Sequence, residues 1–293
     1  MLKSYEELID FYKNTDEFIA AIEYTAGRFG FRDSLIEKDF LCSIVLMFLS
    51  QNHTLPLCFK GGTLLAKVHA GFYRLSEDLD FSISTPIQAK RKDRSTLAKP
   101  CKLAINNLPK HLPFELTKPL AGTNESRQYN AVLSYQSKIS NRKERILIEI
   151  GLREPHLIKP AKHKTKTLLS DPFSGDEFVH QYEVYSLMQQ EAYAEKIRAA
   201  LTRQKLAIRD FYDIAYALNG KLIDLENENF IQLVKQKLSM PGSELVDLND
   251  SKIAFLSKRV ETELQPTLSQ RVDFEFDLDK VIRELTNFSK NLT

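Results

Sequence analysis

The densest concentration of chemistry in this 293-residue chain runs from Phe59 to Ser84, FKGGTLLAKVHAGFYRLSEDLDFSIS. Asp78 and Asp80 stand two apart where Leu79, Phe81 and Ile83 alternate with polar residues. On a strand, that alternation sends both carboxylates to one face, close enough to hold a divalent cation such as Mg²⁺ or Mn²⁺ through oxygen. Without a cation the two charges repel. Upstream, the apolar run Leu57, Cys58, Phe59 reads as a short buried strand that passes through Lys60 into Gly61 and Gly62, with a helix expected over Thr63 to His69. Bare glycine backbone and the unpaired N–H groups of a helix start form a place where an anion can approach, and Thr63 adds a hydroxyl. A glycine pair alone marks any sharp bend, and an isolated D-x-D is an ordinary solvated strand edge. In succession they describe a site that holds the triphosphate of an NTP beside metal ions.

Nucleotidyl transfer with two metals usually needs a further carboxylate on a neighbouring strand. Glu149 is the candidate. Between Arg145 and Gly151, Ile146, Ile148 and Ile150 take one face while Leu147 and Glu149 take the other, next to Asp78 and Asp80 if the strands pair. Glu154 is the second candidate, and a plain solvent-facing strand residue is the alternative for either.

These residues need elements to hold them. Ser4 with Glu7, and Ser34 with Glu37, have capping-box spacing, so two N-terminal helices are expected, the second ending near Leu49. A basic patch at Lys90, Arg91, Lys92 and Arg94 precedes a helix reaching Asn107. Strands are expected around Glu115 to Lys118, Tyr129 to Gln136 and Arg145 to Gly151. The Lys-rich stretch Lys159 to Lys166 reads as an exposed loop. From Ser186, again with capping-box spacing to Gln189, the pattern turns helical toward Leu218, with further helices near Phe230 to Leu238, Lys252 to Leu264 and Leu278 to Phe288. A domain change is placed near residue 185.

Bulk properties narrow the options. With 41 basic and 39 acidic side chains the net charge is +2, so a nucleic-acid surface has to come from local clustering, as at Lys90 to Arg94 or Lys159 to Lys166 with Tyr129, Tyr135 and Tyr182 as stacking groups. A solvated loop is the alternative for both clusters. Three cysteines, Cys42, Cys58 and Cys101, are odd in number and lack C-x-x-C spacing, which points to free thiols in a reducing cytoplasm. No stretch has the length of a signal-peptide core or a membrane span. The six histidines, His53, His69, His111, His156, His163 and His180, lack metal-ligand spacing and read as surface or packing residues.

At this point a family resemblance enters. Glu37, Lys38, Asp39 ahead of an apolar helix, then Phe59, Lys60, Gly61, Gly62, Thr63, Leu65, then Arg74, Ser76, Glu77, Asp78, Leu79, Asp80 form a first block. Ala194, Glu195, Lys196, Ala199, Arg203 followed by Arg209, Asp210, Phe211, Tyr212, Asp213 form a second. Over most of its length the chain resembles the AbiEii/AbiGii-type nucleotidyltransferase toxins, a branch of the DNA polymerase β-like nucleotidyltransferase superfamily. The resemblance implies an α+β fold: a polymerase β-like nucleotidyltransferase domain with a mixed sheet and N-terminal helices over residues 1–185, then a C-terminal helical bundle domain over residues 186–293 that closes the nucleotide cleft. It implies that Asp78 and Asp80 bind metal, beside which Glu149, from its place on the alternating strand, is the candidate third ligand. It implies that Lys60, Gly61, Gly62, Thr63, Arg74 and Ser76 contact nucleotide, and that Lys196 with Asp210 or Asp213 completes the site. The gap between Gly62-Thr63 and Asp78 is longer than in many superfamily members, which implies an extra turn around Phe72 to Leu75.

Lys196 can neutralise phosphate charge as a compact cation, or be an ordinary exposed lysine. Fourteen residues separate it from Asp210, about 21 Å along an unbroken helix, so convergence requires a break, expected near Arg203 to Ile208. Asp210 and Asp213 then share a face while Phe211 and Ile214 pack inward. The functional expectation is a metal-dependent nucleotidyltransferase toxin that modifies RNA, with the tRNA 3′ end as one acceptor and a cognate antitoxin encoded nearby. The alternatives are a protein or small-molecule acceptor, or a nucleotide-binding interaction protein that has lost catalysis.

Overall fold

A computed structural model of the chain describes residues 4–245 and 248–292. It divides into two compact units, Met1–Leu187 with Ser269–Arg271, and Met188–Leu268 with Val272–Thr293.

The first unit opens with three helices, α1 (Tyr5–Lys13), α2 (Thr15–Phe29) and α3 (Asp33–Gln51), where two were expected. Ser4 caps α1 as anticipated, its hydroxyl accepting from the Glu7 N–H at 3.2 Å. The overlooked α2 carries its own buried stripe, Phe18, Ala21, Ile22 and Thr25, and ends at Gly30 with φ +72°. The capping box at Ser34 does not form: α3 begins at Asp33 behind Arg32. Glu37 is fully buried and accepts hydrogen bonds from Ser137 Oγ at 2.5 Å and from the Lys138 N–H at 2.7 Å. A buried carboxylate has to find donors, and two distant ones displace the local cap. Burial pushes the Glu37 pKa up.

Seven strands follow in a single mixed sheet: β1 (Cys58–Lys60), β2 (Leu79–Ser82), β3 (Glu115–Thr123), β4 (Gln128–Gln136), β5 (Lys143–Gly151), β6 (Ala161–Thr165) and β7 (Tyr182–Ser186). Their order across the sheet is β3-β4-β5-β2-β1-β7-β6. The pairs β2–β5 and β1–β7 are parallel, and the remaining neighbours run antiparallel. Ile146, Ile148 and Ile150 are fully buried, as the alternation of β5 requires. After β1 comes one helical turn, α4 (Gly61–Leu64), which widens into a π segment at Leu65–His69. The helix α5 (Arg91–Asn106) packs on β3. The Lys-rich stretch is not a loop: Ala161–Thr165 forms the edge strand β6, paired with β7. Its exposed Lys162 and Lys164 discourage another strand from adding there.

The described residues of the second unit contain five α-helices, α6 (Gln189–Thr202), α7 (Ile208–Asn219), α8 (Glu228–Leu238), α9 (Asp250–Arg259) and α10 (Leu278–Lys290), and no strand. The Ser186 capping box is absent. Ser186 closes β7 with its hydroxyl 2.8 Å from His163 Nδ1, and Met188 precedes α6 without a side-chain cap. Between α6 and α8, the buried Lys237 ammonium lies 2.8 Å from the buried Glu191 and 3.2 Å from Glu195.

Candidate active site

Strand register assembles a polar row across the sheet of the first unit. Lys60 on β1 is opposite Asp80 on β2, Asp80 is opposite Glu149 on β5, and Glu149 is opposite Asn130 on β4. Residues in register share a face, so these four side chains stand side by side, each half-buried. The next row along the strands reads Cys58, Ser82, Gly151, Gln128.

Asp78 reaches this area differently from the expectation. It lies in the bend before β2 rather than on the strand. Its carbonyl accepts from Thr63 Oγ1 at 2.5 Å, while the neighbouring Glu77 is held by Lys38 Nζ at 3.0 Å. A tethered bend, not sheet pairing, places Asp78. The carboxylate that register sets beside Asp80 is Glu149. Among the described residues no three His, Cys, Asp or Glu side chains close to a metal-holding arrangement. The donor chemistry nevertheless suits a hard cation: Mg²⁺ commonly takes one or two protein carboxylates and fills its shell with water and substrate phosphate.

The two glycines explain themselves sterically. Gly61 has φ +79°, and a Cβ there would sit 2.2 Å from Asp80 Oδ2. A Cβ at Gly62 would sit 2.6 Å from Arg74 Nη2 and 3.1 Å from Ser76 Oγ. Gly61 thus makes room for the Asp80 carboxylate, and Gly62 for the pair Arg74 and Ser76. The short helix expected over Thr63 to His69 is present, as one α turn at Gly61–Leu64 that runs directly into the π segment Leu65–His69. Arg74 is 2% exposed, with Nη1 donating to the Leu75 carbonyl at 3.2 Å, so it supports Gly62 from inside the fold.

Behind this turn lies an ionic brace that sequence reading missed. Lys67 in the π segment is fully buried, with Nζ 2.7 Å from Asp39 Oδ1 and 2.9 Å from Ser43 Oγ on α3. Lys38 and Asp39 were visible as part of the E-K-D signature, but their partners lie 39 and 28 positions away. Local spacing carries no sign of them.

In the second unit, the chain does break over residues 203–207, between α6 and α7. Lys196 Nζ lies 2.7 Å from Asp210 Oδ1 and 2.9 Å from Asp213 Oδ2. Arg203 Nη1 lies 2.8 Å from Asp210 Oδ2. The lysine side chain is 14% exposed, Asp210 4% and Asp213 0%, while Phe211 and Ile214 are fully buried. The three expected residues come together, with the lysine engaged by both carboxylates.

Other candidates fall away. Tyr129 and Tyr135 are buried in the sheet and cannot stack on a base; the Tyr182 hydroxyl is donated to the Ser43 carbonyl at 3.2 Å. Arg94 of the first basic cluster is 4% exposed and bonded to the carbonyls of Glu125 and Ala89. Among the histidines, His156 matters more than expected, because its Nε2 lies 2.9 Å from the hydroxyl of Ser82, on the carboxylate-bearing face. A cavity of 620 Å³ lined by Leu46, Phe59, Phe81, Tyr182 and Tyr185 lies on the opposite face of the sheet and touches none of these carboxylates. No described helix is long and apolar enough to cross a membrane.

A search of curated proteins found no match. Two solved structures from Helicobacter pylori share the fold: one described as a candidate nucleotidyltransferase (14% identity, TM-score 0.52, 89% of this chain and 95% of that one) and JHP933 (17% identity, TM-score 0.50, 89% and 93%). The sequence model of the family described as the nucleotidyl transferase AbiEii toxin of type IV toxin–antitoxin systems matches residues 47–290, which covers both the carboxylate row and the Lys196 cluster. With the match extending over most of its length, the chain belongs to the AbiEii nucleotidyl transferase toxin family.

Proposed function

We propose that this nucleotidyltransferase moves a nucleoside monophosphate from an NTP to a hydroxyl of RNA, with the 3′ end of tRNA as the acceptor to test first. It would do so with Mg²⁺ or Mn²⁺ held by Asp78, Asp80 and Glu149. The observation that carries this reading is the Asp80 carboxylate packed against Gly61 with Glu149 in register beside it. When bound, the cation supplies charge neutralisation for the reacting phosphate and the departing pyrophosphate.

The chain's own groups do the rest. Lys60, Gly61, Gly62 and Thr63 receive the β- and γ-phosphates, supported by Arg74 and Ser76. Asp80 marks the position of the α-phosphate. Glu149, one strand further from the glycine turn, takes the proton of the attacking hydroxyl. Lys196, expected by resemblance at the nucleotide, is engaged instead by Asp210 and Asp213 of its own unit, and we assign that cluster to clamping α6 against α7. With this reading goes a polymerase β-like arrangement, residues 1–185 as the catalytic domain and residues 186–293 as a helical bundle domain, acting in the cytoplasm with a cognate antitoxin encoded nearby.

The test is label transfer. Purified protein is incubated with each α-labelled NTP, Mg²⁺ or Mn²⁺, and either total RNA or total protein. Label is expected on RNA with a preferred NTP, and is expected to disappear with EDTA or in Asp80→Ala. Label on protein alone would exclude the RNA acceptor. Protein that binds NTP yet labels nothing, with Asp80→Ala leaving growth on expression unchanged, would overturn catalysis at this site.

A further inference from the structure

An in-line displacement places the entering and leaving oxygens on opposite sides of the phosphorus. The sheet order converts this rule into a direction. From the glycine turn outward the polar row runs Lys60, Asp80, Glu149, Asn130 over β1, β2, β5 and β4, about 14 Å at the usual strand spacing. If pyrophosphate leaves toward Gly61, the acceptor arrives from the β4 side.

That side is furnished with polar groups that the triphosphate does not use. Gln128 Nε2 donates to Asn130 Oδ1 at 3.4 Å, and the exposed Arg153 donates to Gln128 Oε1. The His156 ring nitrogen Nε2 lies 2.9 Å from Ser82 Oγ, and the His156 backbone N–H donates to Ser84 Oγ at 3.3 Å. Between them lies Gly151, in register with Ser82 and Gln128, where a Cβ would find only the Phe81 carbonyl, at 3.9 Å. Its backbone does not need glycine, so the missing side chain leaves open floor beside Glu149.

We propose that Gln128, Asn130, Arg153 and His156, around the floor at Gly151, form the acceptor subsite for the terminal ribonucleotide of an RNA. The inference rests on the RNA-transfer reading above. The amides of Gln128 and Asn130 match the hydroxyls and base edge of a nucleotide, and the Arg153 guanidinium matches its 5′ phosphate. The terminal ribose oxygen forms the new bond to the α-phosphorus as the bond to the bridging oxygen of pyrophosphate breaks. Pyrophosphate departs toward Gly61, and the hydroxyl proton passes to Glu149.

Transfer to purified tRNA is measured at saturating NTP for Asn130→Ala, Arg153→Ala and Gly151→Val, beside binding of a fluorescent NTP and a thermal melt. The expected result is a KM for tRNA raised about tenfold in each variant, with NTP affinity and melting temperature close to wild type, and with Gly151→Ala much milder than Gly151→Val. Arg153 is exposed, so its variant keeps the test meaningful even if valine at 151 disturbs β5. Unchanged tRNA KM in all three variants of an enzyme that labels tRNA would overturn the subsite and leave RNA transfer standing. Loss of NTP affinity in parallel would reassign the residues to the triphosphate and overturn it as well. A wild-type enzyme that labels no RNA removes both readings together.

Discussion

Two ionic clusters carry the family signatures of this chain, and they are built on opposite principles. In the sheet, Asp80 and Glu149 are half-buried like charges brought side by side by strand register, with Asp78 tethered nearby by a bend. In the helical unit, Lys196 is enclosed by Asp210 and Asp213, with Arg203 on the second oxygen of Asp210. Adjacent carboxylates on a sheet face repel one another, and the half-buried Lys60, in register with Asp80, is the cation that the strands set beside them; under the proposed reading a bound metal ion would add to it. The second holds its own counter-ions and gains from being left intact. The half-buried row on the sheet and the enclosed cluster between α6 and α7 thus differ in exposure and in how their charges are arranged, even though both consist of motif residues.

The contrast can be broken experimentally. Glu149→Gln keeps the shape and removes the charge; the expected loss is about 1000-fold in transfer, near 4 kcal/mol of barrier, with an unchanged melting temperature. If the variant instead melts lower and transfers normally, the sheet cluster is structural. Lys196→Ala is expected to behave in the opposite way. It takes the ammonium away from the buried Asp213 and Asp210, leaving Arg203 on Asp210, and should cost about 3 kcal/mol of stability, read from urea denaturation. A Lys196→Ala protein of native stability that has lost NTP affinity would move this lysine from clamp to ligand.

Gly61→Ala sharpens the comparison from the side of the scaffold. The new methyl meets Asp80 Oδ2 and the backbone has positive φ, so a stability loss of about 2 kcal/mol is expected together with a fall in transfer. Full activity in this variant would show that Asp80 does not need the glycine cradle.

The smallest effect concerns the thiols, which neither cluster uses. Burial disfavours the thiolate: it pushes Cys101 up to about 12 and raises Cys42 as well, and all three cysteines are buried. Because the folded pKa lies above the working pH, the thiolate fraction at pH 8 is minute. A thiol reagent at pH 8 should therefore label almost nothing in the native protein and three cysteines in urea. Rapid native labelling would contradict the packing around α3 and α5.

What could be read in advance follows the range of the forces involved. The alternation in β4 and β5, the buried isoleucines and the break between Lys196 and Asp210 all come from periodicities a few residues long, and they are legible for that reason. The capping boxes at Ser34 and Ser186 were misread because Glu37 found Ser137 and Lys138, and Ser186 found a place in β7. The Lys-rich stretch became a strand because β7 offered it a ladder, and Tyr129 and Tyr135 were taken into the core by the same sheet.

Residue identity and spacing along the chain were enough to name the carboxylates, the glycine turn and the helical signature, since each is a local statement about charge, sterics and period. Folding chose their companions. Glu149 beside Asp80, Asp39 under Lys67 and His156 over Ser82 are pairings across 69, 28 and 74 positions. Such pairings arise from strand register and burial summed over the whole sheet, and no window of neighbouring residues encodes that sum.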